Sequence, residues 1–237
     1  MKTLKVILAI VLLSFVISYA HGQVKKPAVK KPVAIKKSPG TRVKLTTDLG
    51  VIVIRLYDST PLHRDNFVKL VKSHFFDSLL FHRVIKGFMI QGGDPLSKNA
   101  QPGEALGMGG GDMQRIPAEF RPGILHKKGV LAAARDGNPE KASSACQFYL
   151  VQGRVCSDAE LNQAECSIRQ TNPDFYYTDE QRKMYKTIGG TPMLDMNYTV
   201  FGEIEKGIEV VDKIANMPTA PGDRPLSDIR MKMEIVQ

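Results

Sequence analysis

The sequence predicts an all-β domain of the barrel type, on three observations. Apolar, β-branched runs of strand length recur from residue 42 to the end of the chain. Only two helical patterns belong to that framework. The last run, Ile229, Met231, Met233 and Ile235, alternates strictly with polar residues. Many short strands with few helices favour a curled antiparallel sheet over a layered α/β fold.

The elements follow in order. Val43 and Leu45 alternate with polar neighbours, Asp48-Leu49-Gly50 reads as a turn, and residues 51–57 are apolar and β-branched, so the first two strands form a hairpin. Thr60-Pro61 opens a helix with Thr as N-cap and Pro at the first helical position. Leu62, Phe67, Leu70 and Val71 form its apolar stripe. Further strands are expected at 81–85, 88–91, 129–134, 147–152 and 198–204. A second helix is expected at 208–216, with Val210, Val211 and Ile214 facing inward. Residues 154–190 read as a helical insert with its own punctuation. Ser157 and Glu160 have capping-box spacing, Thr178-Asp179-Glu180 starts a second helix, and Gly189-Gly190 ends it.

The 237 residues carry a formal charge of +9, but the excess is local. Residues 1–40 hold eight lysines and no acid; without them, 25 of the 33 basic residues remain against 24 acids. A nearly neutral globular part argues against a nucleic-acid partner, whose site needs a basic folded surface. Lys2 and Lys5 precede a 12-residue apolar run, Val6 to Ile17, interrupted only by Ser14. That run has the length of a signal peptide and is short of a bilayer span. Small residues fit cleavage after Ala20 or after Gly22, so residues 1–22 are read as a signal peptide. The reading implies export, with a bacterial periplasm as the compartment and no stable membrane insertion after cleavage. An uncleaved membrane anchor is the alternative. Residues 23–40, rich in Lys and Pro, read as an extended linker, and 41–237 as the folded domain. The three cysteines are expected to be free thiols in or near the core. Cys156 and Cys166, placed ten apart on one helix, would stand about 15 Å from each other, too far for a disulfide.

Several chemistries are missing from the pattern. No histidine pairs with another histidine or a cysteine at metal-ligand spacing, so no metal is expected. No serine sits in a nucleophile elbow. The Gly107–Asp112 stretch lacks the final glycine of a dinucleotide fingerprint and has no strand leading into it, so it reads as a surface loop rather than a cofactor site.

Three other stretches are informative: residues 81–94 (FHRVIKGFMIQGGD), Ala134 with residues 144–150 (SACQFYL), and Leu194-Asp195 through Gly202. Together they resemble the cyclophilin family of peptidyl-prolyl cis-trans isomerases, over roughly residues 41–237. The resemblance implies an eight-stranded antiparallel β-barrel closed by two helices, with 154–190 inserted. It also implies isomerisation of X-Pro bonds, which breaks no covalent bond and calls for no cofactor or metal. The expected partners are proline-containing polypeptides, and a monomer is expected.

By resemblance, Arg83 is the catalytic hydrogen-bond donor. Phe88, Met89 and Leu194 match the pocket for the proline ring. Gln91 and Ala134 match positions lining the site. Strand parity adds to this: if Cys146, Phe148 and Leu150 face the core, Gln147 and Tyr149 face the substrate groove. His82, opposite in parity to Arg83, is expected to be a core or buried, hydrogen-bonded histidine. Four positions depart from the family pattern. Tyr149 stands where many members have Phe, which would put a hydroxyl on the rim of the slot. Met193 replaces a Trp of the best-known eukaryotic members, Tyr198 replaces a His, and Arg135 replaces an Asn beside Ala134. These departures bear on drug binding and substrate preference more than on activity. The resulting expectation is an isomerase that assists the folding of exported proteins. The rival is a proline-peptide-binding chaperone or scaffold without useful turnover.

Overall fold

The computed structural model describes residues 40–236. The signal-peptide and linker readings lie outside the described residues. Eight strands appear: β1 (Arg42–Thr47), β2 (Gly50–Leu56), β3 (Phe81–Ile85), β4 (Met89–Gly92), β5 (Val130–Ala133), β6 (Phe148–Val151), β7 (Val200–Lys206) and β8 (Lys232–Val236). They form one antiparallel sheet in the order β3-β4-β6-β5-β7-β2-β1-β8. Its two edges are stitched by backbone bonds from Ser78 N to Met231 O, Met231 N to Leu79 O and Phe81 N to Ile229 O, so the sheet curls round onto itself. The first hairpin turns as expected, with Thr47 opposite Gly50. Gly50 has φ 138°, and a Cβ there would lie 2.7 Å from Val210 Cγ2.

Two helices pack on the sheet, α1 (Pro61–Lys72) and α4 (Ile208–Ala215). Helix α1 buries Phe67, Leu70 and Val71, but its fourth inner position is His63, while Leu62 is half exposed. The reason lies at the helix start. Thr60 makes no side-chain capping bond. Instead Glu119, 56 residues along the chain from His63, accepts from the backbone N–H of Leu62 (3.3 Å) and of His63 (3.0 Å) and from His63 Nδ1 (2.7 Å). His63 Nε2 lies 2.9 Å from Ser143 Oγ. The buried carboxylate thus meets the helix's unpaired amides and draws His63 inward. Inside the barrel, Phe67, Phe76, Phe81, Phe148 and Phe201 meet at centroid distances of 5.0–6.2 Å, mostly edge to face.

The insert folds as two helices, α2 (Asp158–Arg169) and α3 (Asp179–Thr187). Both begin with a complete capping box, Ser157 with Glu160 and Thr178 with Gln181. Gly189, with φ 87°, follows the end of α3. Cys156 precedes α2 instead of lying on it, and Cys166 is exposed instead of partly buried. The insert has its own apolar cluster, which includes Leu161, Ala164, Ile168 and Phe175 and recruits Leu125 from the barrel side. It is therefore packed against the framework through a shared core.

Candidate active site

Sheet register assembles the site. Arg83 on β3 pairs with Gln91 on β4, which pairs with Tyr149 on β6, which pairs with Ala132 on β5. Residues in register share a face, so these side chains form a row across four strands. Phe148 and Leu150 point the other way with Cys146, into the barrel core, as parity predicted. Met89, Ala134, Tyr149 and Val151 belong instead to a separate apolar cluster on the outer face, joined by Phe88, Leu194 and Tyr198.

This face floors a groove of about 590 Å³. The groove brings together Arg83, Phe88, Met89, Gln91, Ala134, Tyr149, Leu194 and Tyr198. Gln147 lines an adjoining cavity of about 370 Å³ that shares Gln91 and Ala134. Met193 is not brought into the groove. It stands on the far side of Phe88, 56% exposed, in a third cavity of about 310 Å³ between Phe88 and helix α2. The short 3₁₀ turn Pro192–Leu194 separates the two neighbours in this way.

Arg83 donates through Nε to Asp223 at 3.3 Å, and its side chain is 43% exposed. Asp223 sits in a Pro221-Gly222 turn with φ 64°, and its carbonyl accepts from Val84 N at 2.8 Å. That bond fixes the turn beside Arg83. Arg224, almost fully buried, donates to the carbonyls of Gln101 and Glu104 and to Asp228, and so ties the 101–104 and 224–228 loops into the opposite wall. Sequence reasoning missed Asp223 and Arg224. The Pro221-Gly222 dipeptide is a turn signal that could have drawn attention to them, but nothing in the sequence says which groove it borders.

Gln91 Nε2 donates to Gln147 Oε1 at 2.9 Å, and Gln147 Nε2 donates to the carbonyls of Gly107 and Gly109, each at 2.9 Å. The glycine loop thus turns carbonyls inward, the wrong polarity for a phosphate, and Gly109 allows close packing on Asp94 and Gly110 on Cys146. Arg135 donates to Asn197 O at 2.8 Å and lies 4.7 Å from the centre of the Tyr198 ring, so its charge is stacked rather than free in the groove.

One expectation is corrected here. The Tyr149 hydroxyl is not on the rim. Its residue is 4% exposed, and the hydroxyl lies 3.0 Å from His126 Nε2 beneath the floor. His82 is buried as expected, but neither ring nitrogen has a hydrogen-bond partner. Burial pushes its pKa down to about 4, against a smaller upward pull from Asp94, so the ring is neutral near pH 7.

The model of the family "Cyclophilin type peptidyl-prolyl cis-trans isomerase/CLD" matches residues 42–235. The chain belongs to the cyclophilin family. It is 34% identical over 204 residues to a Staphylococcus saprophyticus protein named "Putative peptidyl-prolyl cis-trans isomerase", covering 84% of this chain and 94% of the relative. It is 33% identical over 191 residues to a Staphylococcus aureus protein of the same name, covering 79% and 87%. A solved Cryptosporidium parvum cyclophilin type isomerase shares the fold, with TM-score 0.61 at 23% identity over 83% of this chain and 98% of that one. The same protein solved in the presence of the dipeptide Ala-Pro gives TM-score 0.58 at 22% identity, over 83% and 99%. The protein is thus a cyclophilin-type peptidyl-prolyl cis-trans isomerase, with an eight-stranded antiparallel sheet, two framework helices and two insert helices among the described residues.

Proposed function

We propose that this isomerase acts on X-Pro bonds of exported polypeptides, with Arg83 as the catalytic donor. The observation that carries the reading is the placement of the Arg83 guanidinium, its terminal nitrogens facing the groove, beside an apolar slot. An X-Pro bond rotates over a barrier of about 18–20 kcal/mol and takes tens of seconds or more unaided. Rotation needs no nucleophile. It needs the proline ring held while the acyl side swings, and a donor that favours the twisted amide. Phe88, Met89 and Leu194 hold the ring. Arg83, with Nε engaged by Asp223, keeps its terminal fork for the proline carbonyl and the imide nitrogen. Gln91, oriented by Gln147, and Ala134 receive the backbone on either side of the bond. Catalysis is then tighter binding of the twisted state than of either planar one. The Ala-Pro dipeptide used with the Cryptosporidium relative has the same chemistry as the proposed ligand. The export half of the reading rests on residues 1–22, and N-terminal sequencing of the mature protein from cell fractions tests it. A start at His21 or Gln23 outside the cytoplasm is expected, and a cytoplasmic protein starting at Met1 overturns it.

The mechanistic half is tested by Arg83→Ala on a short X-Pro peptide. Losing a donor of this kind lowers kcat/KM by about 10²–10³. A variant that folds and keeps more than about half of wild-type activity removes Arg83 from the mechanism.

A further inference from the structure

We propose that Tyr177 and Tyr185 of the helical insert are positioning residues of the isomerase groove, acting through Asp195 and His126 on Tyr149. The inference rests on the isomerase reading of that groove. It starts from Asp195, the neighbour of slot residue Leu194. Its Oδ1 accepts from His126 N (2.7 Å) and His126 Nδ1 (2.9 Å). Its Oδ2 accepts from Tyr177 Oη (2.7 Å) and Tyr185 Oη (2.6 Å). Four donors fill the carboxylate. His126 Nε2 continues to the Tyr149 hydroxyl at 3.0 Å, and the Tyr149 ring lines the groove. All five residues are buried.

The two insert phenols are donors. Burial first, then the nearby Asp195, pushes the Tyr177 and Tyr185 phenols up, so both hydroxyls stay protonated and donate. Burial does the same for Tyr149. His126 bridges the two ends, with Nδ1 on Asp195 and Nε2 on the Tyr149 hydroxyl. Tyr177 also donates to the carbonyl of Pro192 at 3.2 Å, the first residue of the turn that carries Leu194. The insert thus grips two walls of the proline slot, the Tyr149 ring and the Leu194 turn. A phenylalanine at 149 would keep the ring and lose the link. An insert serving only its own packing would not need two buried hydroxyls aimed at one carboxylate under the groove, because each would cost stability unless paired.

The test is a double-mutant cycle on the full chain with Tyr185→Phe and Tyr149→Phe, read as kcat/KM on a short X-Pro peptide well below Tm, as peptide Kd, and as Tm. Each single change is expected to lower kcat/KM about 3- to 10-fold, the effect of one buried hydrogen bond. The double variant should be no worse than about the weaker single, because both changes cut the same path. Losses that multiply, or a fall in Tm with kcat/KM and Kd unchanged, overturn the proposal and leave the tyrosines structural. If Tyr185→Phe does not fold, the same cycle with Tyr177→Phe decides by the same criteria. A wild type that binds the peptide but does not turn it over contradicts the isomerase reading instead, and the cycle is then read on Kd alone.

Discussion

His82 and Arg83 are neighbours in sequence with opposite fates, one sealed without a hydrogen-bond partner and the other 43% exposed at the groove. The unpartnered ring makes a pH prediction. In the unfolded chain His82 takes a proton near its ordinary 6.5; in the fold it resists until about 4. A depressed folded value means that stability is complete above about pH 6.5 and is lost as pH falls toward 4. The gap between the two values corresponds to a loss on the order of 3 kcal/mol. His63, also lowered by burial against the pull of Glu119, adds in the same sense. Urea unfolding at pH 7.5 and 4.5 should show the loss, and His82→Gln should remove most of the His82 share. An equal pH slope in both proteins would mean that His82 is not the titrating group.

The start of α1 shows how far local sequence carries an element. Thr60-Pro61 located the helix correctly, because Pro at the first position is a local signal. The cap itself comes from Glu119, and no rule of local spacing connects residues 56 apart. Strand parity was equally reliable. Alternation alone placed Cys146, Phe148 and Leu150 inside and Tyr149 outside. It could not say where the Tyr149 hydroxyl ends, because His126 reaches it through tertiary packing. Met193 shows the same limit: the resemblance put it at the site, in the place of a Trp, and a 3₁₀ turn carries it away from Leu194 into another cavity. Glu119→Ala strips the α1 amides and His63 of their buried acceptor and should cost about 2–4 kcal/mol. Thr60→Ala loses only a 3.4 Å bond to Tyr57 O and should cost less than about 1 kcal/mol. Chemical denaturation of the two variants checks the order, and a larger loss at Thr60 would return the cap to its local position.

At the scale of the molecule the question is whether barrel and insert are separable. Self-capped helices between two strands suggest a detachable graft. The shared core around Leu125 and the two hydroxyls on Asp195 argue against it. Joining Gln152 to Thr191 through a short Gly linker would expose Leu125 and leave a buried carboxylate short of two donors. Such a variant should lose at least several kcal/mol of stability or fail to accumulate in soluble form. A soluble deletion protein with wild-type Tm and activity would show that the insert is a passenger. Whether this groove turns X-Pro bonds over instead of only holding them can be read by NMR exchange spectroscopy of an Ala-Pro peptide with a substoichiometric amount of the protein. Cis–trans exchange cross-peaks are expected with the wild type, and their loss in Arg83→Ala while peptide-induced shifts in the groove persist. Binding shifts without exchange in the wild type would contradict turnover and leave a proline-peptide scaffold.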